Sequence, residues 1–303
     1  MNYQMQPLSC APTKLTGLSE KLILSHYENN YGGAVKRLNA IQAQLAPLDF
    51  STAAGFTING LKREELIATN SMLLHELYFS SLGGDAPMSP AMALAIAASF
   101  GSVERWRAEF VAMGKALGGG SGWVILSYLP RAGRLVNQWA SDHTQCLALG
   151  SPILALDMYE HAYHVDYGSN AAAYVDSFMQ NVDWKAVELR YAQAVHAASE
   201  GMGAPAEAAE TALVLDVRRA GIFANADTML PNAQWLDPEC IDQWMHQLPR
   251  DKEILVYCIY GHEVGRNSTV RLRAHGFNAK FLEGGIDAWK SAGRPMEAKG
   301  EPA

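Results

Sequence analysis

Apolar residues recur at helical spacing along the first part of the chain and then change rhythm. "SEKLILSHYENNYGGAVKRLNAIQAQL", Ser19 to Leu45, predicts a long amphipathic helix that Gly32 and Gly33 weaken in the middle. "REELIATNSMLLHELYFSSL", Arg63 to Leu82, predicts a second, stopping before Gly83 and Gly84. Two shorter helices follow at "PAMALAIAASF" and "VERWRAEFVAMGKAL". After "GGGSG" the runs "WVILSYL" and "RLVNQWA" read as strands joined by "PRAG" in a hairpin, and "PILAL" as a third apolar run. The first half is thus α+β, helices first and a small sheet later.

From His196 to Glu210, "HAASEGMGAPAEAAE" is poor in large apolar residues and reads as a linker. Beyond it strands and helices alternate: "ALVLDV", "PECIDQWMHQL", "EILVYC", "EVGRNSTVRLRAHG", "AKFLEG", "GIDAWKSAG". Such an order predicts an α/β unit, a small parallel sheet covered by helices. The expected division is residues 1–198, a linker at 199–210, and residues 211–303.

Composition adds exclusions. With 49% hydrophobic and 18% charged residues, the 303-residue chain suits two folded domains rather than extended disorder. A net charge of -7, spread over both halves, gives no basic surface for nucleic acid or for an anionic membrane. Cys10, Cys146, Cys240 and Cys258 form no Cys-x-x-Cys pair, so neither a zinc knuckle nor a disulfide framework is expected. The beginning "MNYQMQPLSCAPTKLTG" has no basic-then-apolar leader and no long apolar run occurs, so a cytoplasmic protein is expected.

The densest chemistry lies in "LDMYEHAYHVDYG", Leu156 to Gly168, with Asp157, Glu160, His161, His164 and Asp166. A helix beginning there would put Asp157 and His161 on one face, able to share a ligand. The long helices offer His26 and His75 among apolar neighbours. Three imidazoles and a carboxylate suit a borderline redox metal such as Fe or Mn, with a position open to substrate. On spacing alone, the same residues could equally be ordinary members of amphipathic faces.

"DMYEHAYHVDYG" resembles the D-x-W-E-H-A-Y-Y motif of iron/manganese superoxide dismutases. The resemblance extends through "GSGW", "AIAASFGS", "HELYF" and "HYENNYGGAV", in family order, over roughly the first 195 residues. It implies a helical hairpin packed on an α/β part with a small antiparallel three-stranded sheet. It implies His26, His75, Asp157 and His161 as ligands of one Fe or Mn ion per subunit, superoxide as substrate, and a homodimer or higher homo-oligomer. Glu160 would bond His161 of a second subunit, and Tyr78 and Trp123 would line the site. The Gln that usually bonds the metal's solvent is replaced: its helical position is Ser71 and its hairpin position is His143. The gateway residues also depart from the family, with Ala34, Asn30 and His164 where Tyr, His and Tyr are usual, and Tyr159 replaces the motif's Trp.

In the second half, Cys258 ends an apolar strand and precedes a glycine and a helical segment, a setting that aims backbone N–H groups at the sulfur. "LVLDVRR", "YCIYG" and "FLEGGIDAWKSAGRPM" resemble a rhodanese-like domain, which implies sulfur transfer through a persulfide on Cys258. Glu263 stands where many members carry Arg, five after the cysteine. That charge favours a persulfide or sulfane-sulfur donor over thiosulfate. Asp216 and Arg218 read as supports of the loop. An alternative reading makes the chain a redox-sensing metal protein whose rhodanese-like module is a binding or regulatory domain.

Overall fold

The pattern of residues 19 to 45 folds as one helical rod with a local change of pitch. In the computed structural model, which describes residues 2–299, α1 (Glu20–Ser25) is capped by the Ser19 side chain, which accepts from the Leu22 N–H. Asp166 accepts hydrogen bonds from the Ser19 N–H at 2.7 Å and hydroxyl at 2.6 Å, so the acidic residue of the motif pins this helix start. The rod then widens into a π-helical turn, His26–Tyr31, and resumes as α2 (Gly32–Leu45). Gly32 and Gly33 do not break it. The irregular turn lies just before them and begins at a candidate metal-site histidine, a common place for such turns.

α3 (Gly55–Phe79) completes the helical hairpin and starts well before Arg63, because "GFTINGLK" joins the helix despite its weak formers. α4 (Pro90–Phe100) and α5 (Val103–Ala116) begin at the caps Ser89 and Ser102. β1 (Trp123–Leu129), β2 (Arg134–Ala140) and β3 (Ser151–Asp157) form an antiparallel sheet in the order β2-β1-β3. After α6 (His164–Tyr167) come α7 (Ala171–Gln180) and α8 (Trp184–Ala198), capped by Asn170 and Asp183. One apolar core, including Leu22, Leu38, Trp106, Phe110, Leu126 and Phe178, joins these elements. Each such fully buried side chain contributes about 1.5–3 kcal/mol.

The second sheet comprises β4 (Gly203–Ala204), β5 (Leu213–Asp216), β7 (Gln234–Trp235), β8 (Ile254–Tyr257) and β9 (Ala279–Leu282), in the order β4-β9-β8-β5-β7. All its pairings are parallel. α9 (Ala220–Ala224), α10 (Ile241–Trp244), α11 (Glu263–Ala274) and α12 (Gly285–Ser291) supply the connections, and β6 (Thr228–Met229) pairs with β10 (Glu297–Ala298). Leu215 and Val256 face one core, Val214 and Leu255 another, as alternation along doubly covered strands requires. The stretch read as a linker is ordered: Gly203 and Ala204 pair with Phe281 and Leu282 as an edge strand. Its small residues hid it, since two positions carry no apolar alternation.

Polar contacts join the two halves. The Tyr128 hydroxyl donates to Asn267 Oδ1 at 2.9 Å, and Arg271 donates from Nη1 to the Ala98 carbonyl at 3.2 Å. Tyr128→Phe is expected to destabilise the protein by about 1 kcal/mol, the net value of one such bond, read as a lower urea midpoint; an unchanged midpoint would show that the contact carries no stability. Among the described residues no helix is long and apolar enough to cross a membrane.

Candidate metal centre and cysteine loop

Four side chains distant in sequence converge where the helical hairpin meets the antiparallel sheet. His26 opens the π-helical turn, His75 lies in the last turns of α3, Asp157 ends β3, and His161 follows in a tight turn, Glu160–Ala162. One candidate ligand atom from each lies within 4.8 Å of all the others. The expected helix from Asp157 does not form. A strand end followed by a tight turn brings His161 back to Asp157, with Oδ1 of the carboxylate accepting from the Tyr159 N–H at 2.9 Å. Oδ2 is thereby left for the imidazoles: His26 Nε2 at 3.1 Å, His161 Nε2 at 3.2 Å and His75 Nε2 at 3.6 Å.

His26, His75 and Asp157 are buried, whereas His161 retains 25% side-chain exposure. His75 Nδ1 donates to the Ser71 carbonyl at 2.6 Å, so the proton is on Nδ1 and Nε2 presents a lone pair into the cluster. That Nε2 is buried without a hydrogen-bond partner among the described residues. Burial pushes the His75 imidazolium down to about 3, reinforced by His26, and burial likewise lowers His26. For Asp157 burial alone would raise the carboxyl, but His161 and hydrogen bonds from His161 and His26 hold it well below the usual carboxylate range. The free lone pair of His75 Nε2 and the ionised Asp157 carboxylate, crowded by the Nε2 atoms of His26 and His161, form a set that a single cation would satisfy. The residues fit a metal ion.

An aromatic wall surrounds them. Trp123 lies edge-on to His75, ring centroids 5.3 Å apart, and its indole N–H donates to His143 Nδ1 at 3.0 Å. An indole can only donate, so His143 Nδ1 accepts and Nε2 carries the proton. Burial keeps the His143 imidazole below its ordinary value. His143 stacks on Tyr159 at 4.8 Å and Tyr159 on His161 at 5.4 Å. Asn70 donates to the His143 carbonyl at 2.6 Å and anchors this loop to α3 beside Ser71. Tyr78 is buried, 5.0 Å from the His26 ring, with its hydroxyl on that of Tyr174 at 3.2 Å. Glu160 and His164 are exposed and stand outside the cluster; Ala34 is buried and Asn30 half-buried.

The family profile for iron/manganese superoxide dismutases, C-terminal domain, matches residues 88–190. A superoxide dismutase [Fe] of Cupriavidus metallidurans is 71% identical over 195 residues, covering 64% of this chain and 99% of that protein. The chain belongs to the iron/manganese superoxide dismutase family. A superoxide dismutase [Mn] of Halobacterium salinarum is 37% identical over 205 residues, covering 63% of this chain and 96% of that protein. One of Aquifex pyrophilus, superoxide dismutase [Fe], is 34% identical over 194 residues, covering 61% and 90% respectively. A rhodanese-like domain is matched at residues 196–292, so this dismutase-family chain carries a second module.

In that module Cys258 follows β8 and is buried, and the backbone amides of Gly265, His262, Gly261 and Tyr260 lie close enough to act on its sulfur. These donors favour a thiolate, yet burial outweighs them and pushes the thiol up from its ordinary value. Gly265 packs closely on the sulfur: a Cβ there would lie 3.2 Å from Sγ and crowd it by a few tenths of an ångström. Gly261 turns the loop at a φ of +68°. Behind it, buried Asp216 accepts from Arg218 Nε at 2.9 Å and from the Tyr257 hydroxyl at 2.7 Å, which ties the residue before Cys258 to the neighbouring strand. Glu263 opens α11 as its first residue.

Proposed function

We propose that the chain dismutates superoxide at one Fe or Mn ion held by His26, His75, Asp157 and His161. The observation that carries this reading is the convergence of four donor atoms, including the buried, unpartnered Nε2 of His75, in a chain that belongs to the dismutase family. The bound ion would supply the change of oxidation state that lets superoxide be oxidised in one half of the cycle and reduced in the other.

The chain's own residues do the rest. The Ser71 carbonyl and the Tyr159 N–H fix the orientation of His75 and Asp157. Trp123 locks the tautomer of His143, whose Nε2–H is a hydrogen-bond donor in the place where the family uses a Gln amide. Trp123, Tyr78 and Tyr159 keep bulk water from the donor set. With Ala34 at the usual gateway Tyr position, no phenol gates the approach there, and His164 lies outside on the surface. Exposed Glu160 and His164 beside His161 form the face for a second copy, giving a homodimer in the cytoplasm. Residues 1–198 are the dismutase domain and 211–303 the rhodanese-like domain, with 199–210 joining them; residues 1 and 300–303 of those ranges lie outside the described residues.

For the second module, the Cys258 thiolate attacks the outer sulfur of a persulfide donor. The donor S–S bond breaks, its inner sulfur leaves as a thiolate, and the transferred sulfur remains on Cys258 as a persulfide, held by the loop N–H groups.

Protein purified and loaded separately with Fe and with Mn should hold about one ion per chain and remove superoxide in one of the two forms. Metal-loaded protein without turnover in either form would overturn dismutation, and the departures at Ala34, Asn30 and His164 would then favour a redox-sensing role.

A further inference from the structure

Arg266, one turn into α11, reaches back to the cysteine loop. Its Nε donates to the Gly261 carbonyl at 2.9 Å. That carbonyl shares a peptide unit with the His262 N–H, one of the amides that act on Cys258 Sγ. In a trans peptide the C=O and N–H point in opposite directions, so a donor that holds the carbonyl from one side turns the N–H to the other. A cationic donor also polarises the amide and strengthens its N–H. The guanidinium is itself held at two further points: it lies 4.2 Å over the Phe281 ring, and Nη1 donates to the buried Ser199 hydroxyl at 3.2 Å. Ser199 caps the C-terminal end of α8, the last helix of the dismutase half.

We propose that Arg266 is the positioning residue of the Cys258 loop, holding the Gly261–His262 peptide toward the sulfur and supplying the positive charge that Glu263 withholds at the loop's end, with Ser199, just past α8, as its anchor. The inference deepens the sulfur-transfer reading and rests on it for turnover alone. The charges around the loop are mixed. Glu263 on α11 and Glu283 after β9 both act on Arg266, as does Cys258, while His262 lies in the loop itself. A cleft of about 500 Å³ beside Arg266 is lined also by His196, Glu200 and Glu283. Among these groups Arg266 is the one whose side chain is bonded to the loop, and its removal takes away the cation that Glu263, Glu283 and Cys258 share.

The test is iodoacetamide alkylation of full-length protein between about pH 6 and pH 10, with Cys258 followed by mass spectrometry of its own peptide. R266Q is expected to move the Cys258 profile up by about one unit and to slow alkylation near neutrality roughly tenfold. R266K keeps the charge and loses the fork geometry, so it should fall between R266Q and the unaltered protein. S199A should shift the profile in the same direction by less. Superoxide removal measured on the same samples verifies folding; if R266Q fails to fold, R266K decides. Profiles of R266Q or R266K that superimpose on the original would overturn the proposal. If the unaltered protein transfers no sulfur but the profile shifts, the sulfur-transfer reading falls and the positioning role stands.

Discussion

His75→Ala is expected to lose the metal and superoxide removal together. The buried Nε2 has no hydrogen-bond partner among the described residues, and deleting the ring leaves three donors beside aromatic surface from Trp123 and Tyr78. Metal content by mass spectrometry and superoxide removal should fall to background in the same samples. A variant that retained both would remove His75 from the ligand set. His143→Ala separates binding from turnover. It leaves the four donors in place and removes the Nε2–H, so metal content should hold while turnover falls roughly 10- to 100-fold, the usual cost of losing a group that orients or serves a metal site from outside. Loss of metal from His143→Ala would instead show that Trp123 and Tyr159 position the ligands only through that ring.

Cys258→Ser is expected to abolish sulfur transfer and leave superoxide removal unaltered. Ser is close to Cys in size, so the loop and its N–H groups keep their places, but a hydroxyl does not ionise to a nucleophile in the range open to a thiol. The measurement is sulfane sulfur passed from a small-molecule persulfide to a thiol acceptor, with dismutation assayed in parallel. Undiminished transfer would exclude a Cys258 persulfide. A parallel fall in dismutation would mean that the loop supports the first domain structurally, which the contacts of α11 with Tyr128 and Ala98 make physically reasonable.

What could be read in the sequence follows from how local each signal is. The hairpin, the three-stranded sheet and the alternating second half announce themselves through periodicity, and both family likenesses rest on short runs such as "EHAY" and "LEGGIDAW". The meeting of His26 and His75 with Asp157 and His161 was legible through motif order. Its geometry was not: Asp157 and His161 are joined by a strand end and a tight turn, and helical spacing describes neither. α7 and α8 carried caps at Asn170 and Asp183 but sat in the shadow of the denser motif before them. Arg266 could not be found from pattern, because what makes it matter is a backbone carbonyl at Gly261 and a hydroxyl far upstream at Ser199. The role of His143 likewise depends on an indole N–H donated from another element, which decides the tautomer that no spacing rule reveals.

The short strand at Gly203–Ala204 bears on how such a fusion can be taken apart. It is the outermost rung of the second sheet yet follows directly on the last helix of the first half. Severing the polypeptide just after Ala204 would leave this rung with the dismutase half and strip β9 of a neighbour, baring backbone groups that invite pairing with another chain. Severing it ahead of Gly203 would spare the sheet but part Ser199 from Arg266. Two modules that look separable on paper therefore share a seam, and a gene that lost either half would bequeath the other an exposed border.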